Sequence, residues 1–183
     1  FRVYLDDDGM QILCKTEACY GEHKFLLTDK APDNIMRNAE QEYEMRFLLE
    51  KYFPAWNSCG ELYFSCKDEE RLYRLLTEGV NEISRAAELY LSEQMERIQV
   101  QQQPKLRIGV RIDGGLLNLN IDAERLTQWE IQELLRNYRQ RRKFYRMGNG
   151  NFLQLDSGSL ATLAELAEGL NLTEEDLRQG RVR

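Results

Sequence analysis

Histidine occurs once and proline three times in 183 residues, and both shortages narrow the field. A lone His23 supplies no histidine cluster for a metal and no base for a recognisable serine or cysteine nucleophile. Three prolines and twelve glycines, beside 42% hydrophobic and 31% charged residues, exclude a collagenous, low-complexity or disordered chain. No stretch approaches the roughly 18 consecutive apolar residues of a membrane span, and no basic segment precedes a signal-type apolar run. Phosphate loops are missing too: there is no G-x-x-x-x-G-K-S/T, and Gly148-Asn149-Gly150 lacks the lysine and the following helix. Without such a loop, Asp68-Glu69-Glu70 reads as a helix start and Asp6-Asp7-Asp8 as a tight turn, neither as a magnesium site.

Four cysteines stand at 14, 19, 59 and 66. An odd separation turns Cys14 and Cys19 to opposite faces of one strand, and Cys66 follows Leu62 and Phe64 at period two. The expectation is reduced, structural thiols in a cytoplasmic protein.

Twenty-five Lys and Arg against thirty-one Asp and Glu leave a net charge of −6, too acidic for bulk attraction to nucleic acid. The charge is segregated, however. Arg136, Arg139, Arg141, Arg142, Lys143 and Arg146 lie within eleven residues free of acid, so this segment carries +6 and the remainder −12.

Apolar periodicity predicts an α+β fold: antiparallel hairpins packed against amphipathic helices, in two α+β subdomains of related plan. Val3 and Leu5 are expected to face Cys14 and Ile12 across a two-residue Asp8-Gly9 turn, with a third strand near residues 23–27. Asp33 is the expected cap of a helix with inward stripe Met36, Ala39, Tyr43 and Phe47, ended by Pro54. A strand at 61–66, a helix from Asp68 burying Leu72, Leu75 and Leu76, and a short strand at 87–91 follow. Gln99 to Lys105 is the expected linker between an N-terminal subdomain, 1–100, and a hairpin-helix-hairpin-helix subdomain, 101–183.

In that second part Leu106, Ile108, Val110 and Ile112 alternate up to Asp113-Gly114-Gly115, and Leu117, Leu119 and Ile121 alternate away from it, predicting one buried face. Thr127 and Glu130 form a T-x-x-E capping box ahead of Ile131, Leu134, Leu135 and Tyr138. A second hairpin turns at Asn149-Gly150, Ser159 is the expected cap of a helix carrying Leu163, Leu166, Ala167 and Leu170, and Thr173 with Asp176 starts one more turn before Gly180.

The helix after Thr127 places Arg136 and Arg139 off its apolar stripe, with Trp129 about 20° from Arg136 around the axis. Arg142 would enter the stripe, so the helix is expected to stop near residue 141. Cations beside an exposed indole suit phosphate and base contacts, or an acidic protein. The same residues also suit a bland role, Trp129 packing on a strand and the arginines complementing a helix C-terminus. Trp129, Arg136, Arg139, Arg142, Lys143 and Arg146 are the candidate nucleic-acid or partner-binding residues; catalytic and metal residues have no candidates.

The run Tyr138-Arg139, Arg142-Lys143-Phe144-Tyr145-Arg146, Gly150, Phe152-Leu153 and Leu155 resembles the bacterial helicase-associated domain found ahead of the ATPase motor in bacterial Swi/Snf-type proteins. The helix ending in Lys51-Tyr52-Phe53 and the 106–121 hairpin before the Trp129 helix fit the same family. The resemblance spans most of the chain and rests on packing and turn residues. It implies a non-catalytic accessory part of an ATP-dependent DNA translocase or helicase, docking on or regulating the motor of the same polypeptide and contacting double-stranded DNA, with no membrane partner. ATP and magnesium are implied for that motor alone, and no catalytic residue carries over to this chain. Arg181-Val182-Arg183, reading as the start of a strand, fits a region that stops before the motor. A protein-protein scaffold unrelated to DNA is the alternative.

Overall fold

The computed structural model describes residues 1–183 except 31, 32, 124, 125, 156, 180 and 183, so Gly180 and Arg183 fall outside the described residues. The fold is α+β, and the chain divides into two compact units, Phe1–Gln99 and Val100–Arg183.

In the first unit, β1 (Arg2–Asp7) and β2 (Gln11–Tyr20) form the expected hairpin in a different register. Leu5 pairs with Cys14 and Val3 with Thr16. The loop holds three residues because the Asp8 carboxylate accepts the amides of Met10 and Gln11 at 2.8 and 2.7 Å, closing an Asx-type turn wider than a two-residue one. The slip is an even number of residues, so each side chain keeps its face. Val3, Leu5, Ile12, Cys14 and Ala18 are all buried.

One edge of β2 carries β1; the other is shared by β5 (Leu62–Ser65) and β3 (His23–Leu26). With β4 (Ala55–Trp56) and β6 (Glu88–Leu91) the order is β4-β5-β2-β1-β6, and β6 joins β1 in parallel.

The first helix corrects two expectations. α1 spans Ala39–Glu50 and its cap is Asn38, whose side chain accepts the Gln41 amide; Asp33 lies well upstream. Met45 and Leu49 face the core, while Tyr43 and Phe47 are exposed and Met36 is 93% exposed. The sequence 39–50 carries two apolar rows at i, i+4 spacing on nearly opposite sides, and the fold buries the Met-Leu row.

Asp68 does cap α2 (Glu69–Arg74), which runs through a π-helical turn, Leu75–Gly79, into α3 (Val80–Ala86). Gly79 is there for space: a Cβ would lie 2.8 Å from Leu75 Cδ1 and 3.1 Å from the Tyr52 ring. α4 (Glu93–Arg97) closes the unit with Met95 buried.

The second unit begins in the segment expected to be a linker. Val100–Gln102 form β7, paired in parallel with β11 (Phe152–Gln154), which pairs antiparallel with β10 (Phe144–Arg146). β8 (Leu106–Asp113) and β9 (Leu116–Ala123) make the expected hairpin, with Ile108 opposite Ile121 and Val110 opposite Leu119. The register keeps these apolar side chains on one face, as expected, but burial runs along only part of it. Leu106, Leu119 and Ile121 are buried, whereas Val110 is 50% and Ile112 75% exposed, because the helical core ends before the hairpin tip.

α5 (Gln128–Arg139) starts with the complete Thr127/Glu130 capping box and buries Ile131, Leu134 and Leu135. α6 (Ser157–Gly169) begins before Ser159, so Ser159 lies in its first turn and accepts from Gln103 Nε2 instead of capping. Leu160, Leu163 and Ala167 enter the core, and Leu170 reaches solvent. α7 (Glu174–Gln179) and β12 (Arg181–Val182), the latter along β9, complete the unit.

Candidate functional site

The six candidate residues sit on α5, on the turn after it and on β10. Trp129, in the first turn of α5, is 62% exposed. It precedes Arg136 by two helical turns, about 10 Å along the axis.

Arg136 is already engaged: its guanidinium meets Glu133 Oε1 at 2.9 Å and Glu174 Oε1 at 3.4 Å. The Glu133–Arg136 spacing of three residues on a helix was the sequence signal for that pair. Arg146 is also removed from the solvated set. Its guanidinium lies 4.3 Å over the Phe152 ring, and Nη1 is buried with no hydrogen-bond partner among the described residues. Arg139, Arg142 and Lys143 are exposed, as is Arg141, which the candidate set omitted. The structure therefore separates the cluster into one ion-paired arginine, one ring-stacked arginine and an exposed run at the end of α5.

Arg141 holds that run in shape. The Arg142 amide donates to Asn137 O at 3.1 Å and the Arg141 amide to Tyr138 O at 2.9 Å, the two crossed bonds of a Schellman cap. Such a cap needs a left-handed residue at its centre, and Arg141 takes φ 59°, a position where glycine is usual. A side chain there costs on the order of 1 kcal/mol. Arg141→Gly is expected to raise stability by about 1 kcal/mol in denaturant unfolding while removing one exposed cation. An unchanged or lowered midpoint would show that the arginine side chain is held by contacts that outweigh the strain.

The first unit offers little chemistry of its own. Its four cysteines are free, and burial pushes the Cys14 thiol up to about 12, which keeps it protonated and unreactive. A cleft lined by Cys19, Tyr20, Gln41, Glu44, Met45 and Leu48 contains no histidine, and its Tyr20 hydroxyl is already donated to Glu42 Oε1 at 2.6 Å. Among the described residues no three His, Cys, Asp or Glu side chains gather as a metal site, and no helix is long and apolar enough to cross a membrane.

Comparison with known families shows that the chain belongs to the bacterial SNF2 helicase-associated family, whose model matches residues 1–183, the whole chain. It is an accessory part of an SNF2-type protein, linked through that family to an ATPase motor region. No curated protein and no solved structure matches it.

Proposed function

We propose that this chain is a non-catalytic docking and regulatory module of a bacterial SNF2-type DNA translocase, and that its contact with duplex DNA runs through the end of α5. The carrying observation is the exposed, acid-free run Arg139, Arg141, Arg142 and Lys143 at the C-terminal end of α5, with exposed Trp129 in the first turn of the same helix, in a chain whose family is associated with an SNF2 helicase. Guanidinium groups free of intramolecular acids neutralise phosphates at no cost in broken ion pairs. Arg136 and Arg146 contribute less, the first because Glu133 and Glu174 compete for it, the second because Phe152 covers it.

Fluorescence anisotropy of a labelled duplex against the purified chain tests this. Binding is expected to be weak, with log K falling by about 0.9 per neutralised phosphate for each decade of salt. Arg139→Glu with Arg142→Glu is expected to weaken it by more than about tenfold at low salt, with little change in unfolding midpoint since both side chains are exposed. Equal affinity in that double variant sinks the DNA contact. Docking is read separately, by co-purification with the separately expressed ATPase region; failure to associate would sink the docking half.

A further inference from the structure

We propose that the outer edge of β8 pairs antiparallel with β8 of a second copy of this chain, joining two three-stranded sheets into one. The inference rests on the hairpin alone and is independent of any DNA contact.

β8 ends its sheet, in the order β12-β9-β8, so eight residues present one edge with no strand beside it among the described residues. The hairpin turn fixes which groups that edge offers. Gly114 and Gly115 have φ 58° and 82°, the values of a two-residue type I′ turn, which makes Asp113 and Leu116 the hydrogen-bonded pair that flanks it. Alternation then turns the amides and carbonyls of 107, 109, 111 and 113 toward β9, and those of 108, 110 and 112 outward. Only registers that match even-numbered residues with one another satisfy this edge.

Charge chooses among them. Pairing Val110 with Val110 of the second copy sets Arg107 opposite the other Asp113, twice by symmetry, in the non-hydrogen-bonded positions where side chains approach most closely. It also sets Gly109 opposite Arg111, leaving room for the longer side chain, and places Ile108 opposite Ile112. A shift of two residues one way opposes Arg107 with Arg111, and the other way Arg111 with itself; like charges opposed across strands repel. A shift of four in the second direction pairs Arg111 with Asp113 but leaves only the strand end overlapping. The favoured register spans 107–113.

The occupant also suits the exposed face. Val110 and Ile112, which the helical core leaves in solvent, gain the matching residues of the second copy on the same side of the joined sheet. Arg107, Arg111 and Asp113 are exposed and have no ion-pair partner among the described residues, so nothing need be broken to recruit them.

Sedimentation of the chain over a range of concentrations provides the test. Wild type is expected to show a reversible monomer–dimer equilibrium. Arg107→Asp and Asp113→Arg are each expected to weaken it about tenfold, by turning two attractions into two repulsions, and the two together to restore it. Arg107 also stands opposite Asp122 within the hairpin, so its reversal carries an internal penalty that the double variant keeps; recovery in the double variant isolates the interchain pair. Val110→Pro removes an outward amide without touching the β9 ladder and is expected to abolish the dimer while far-UV circular dichroism is retained. Wild type that stays monomeric, a dimer indifferent to the single reversals, or no recovery in the double variant overturns the proposal. So does a monomer whose β8 edge captures the ATPase region in a Val110→Pro-sensitive way, since the occupant is then a strand of the motor.

Discussion

Phe152→Ala is expected to lower the stability of the second unit by about 3–5 kcal/mol, enough to leave much of it unfolded at ordinary temperature. Phe152 is fully buried at the start of β11, which is hydrogen-bonded to β10 on one side and β7 on the other. Its ring meets Phe144 edge-on, centroids 5.3 Å apart at 80°, and its face carries the Arg146 guanidinium. Truncation opens a cavity, ends the aromatic pair and strips the cover from a guanidinium whose Nη1 has no hydrogen-bond partner among the described residues. Denaturant unfolding followed by circular dichroism is expected to show an early transition in this variant. A shift worth less than about 1 kcal/mol would mean that the neighbouring strands collapse into the space.

The second large effect belongs to the first unit. Arg37→Ala is expected to cost about 2–3 kcal/mol, short of the loss for a fully buried ion pair because the Arg37 and Glu42 side chains keep 25% and 11% of their exposure. Arg37 donates through Nε and Nη2 to the two oxygens of Glu42 and through Nη1 and Nη2 to Asp29 O and Leu27 O, so one fork ties the segment after β3 to the start of α1. Tyr20 donates to the same carboxylate and accepts the Asn38 amide.

Burial pushes the Glu42 carboxyl up, but the hydrogen bonds from Arg37 and Tyr20 outweigh it and hold the group below the ordinary value of 4.5. A carboxyl depressed by folding contributes stability above its unfolded value, and that contribution fades as pH falls through the folded one. Wild type is therefore expected to lose stability steadily below about pH 4.5, and Arg37→Ala to lose less over the same interval. Parallel acid limbs in melting curves of the two proteins would show that the fork does not set this titration.

Much of the fold was legible because period and turn chemistry are local. The parity of 106–121 and the capping box at Thr127 and Glu130 needed no knowledge of what lay opposite. What escaped depends on neighbours distant in sequence. α1 has two apolar rows, and only what packs against the helix selects Met45 and Leu49 over Tyr43 and Phe47. Alternation names the inner face of β8 but not how far along it the core extends, so Val110 and Ile112 read as buried. Val100–Gln102 looked like a linker because a parallel partner fifty residues away leaves no local mark.

The candidate cations were legible as a cluster because acids are missing between residues 136 and 146. Their separate states were not. Glu174 reaches Arg136 from another helix, and Phe152 covers Arg146 from the next strand. Arg141 gave no signal at all, since arginine is not the residue that announces a left-handed cap.

The parallel pairing of β1 with β6 has a consequence for how the chain is made. β1 ends at Asp7 and β6 begins at Glu88, so the outer edge of β1 waits while roughly 80 further residues leave the ribosome, on the order of 4–16 s at bacterial and eukaryotic elongation rates. β7 waits in the same way for β11, through roughly 50 residues or about 3–10 s. During both intervals a hairpin or strand with an unmet edge is held beside the ribosome, and its neighbours on a polysome carry the identical edge. Vectorial synthesis thus gives this protein two timed windows in which a chaperone, or another nascent copy, reaches an open strand before its own partner does.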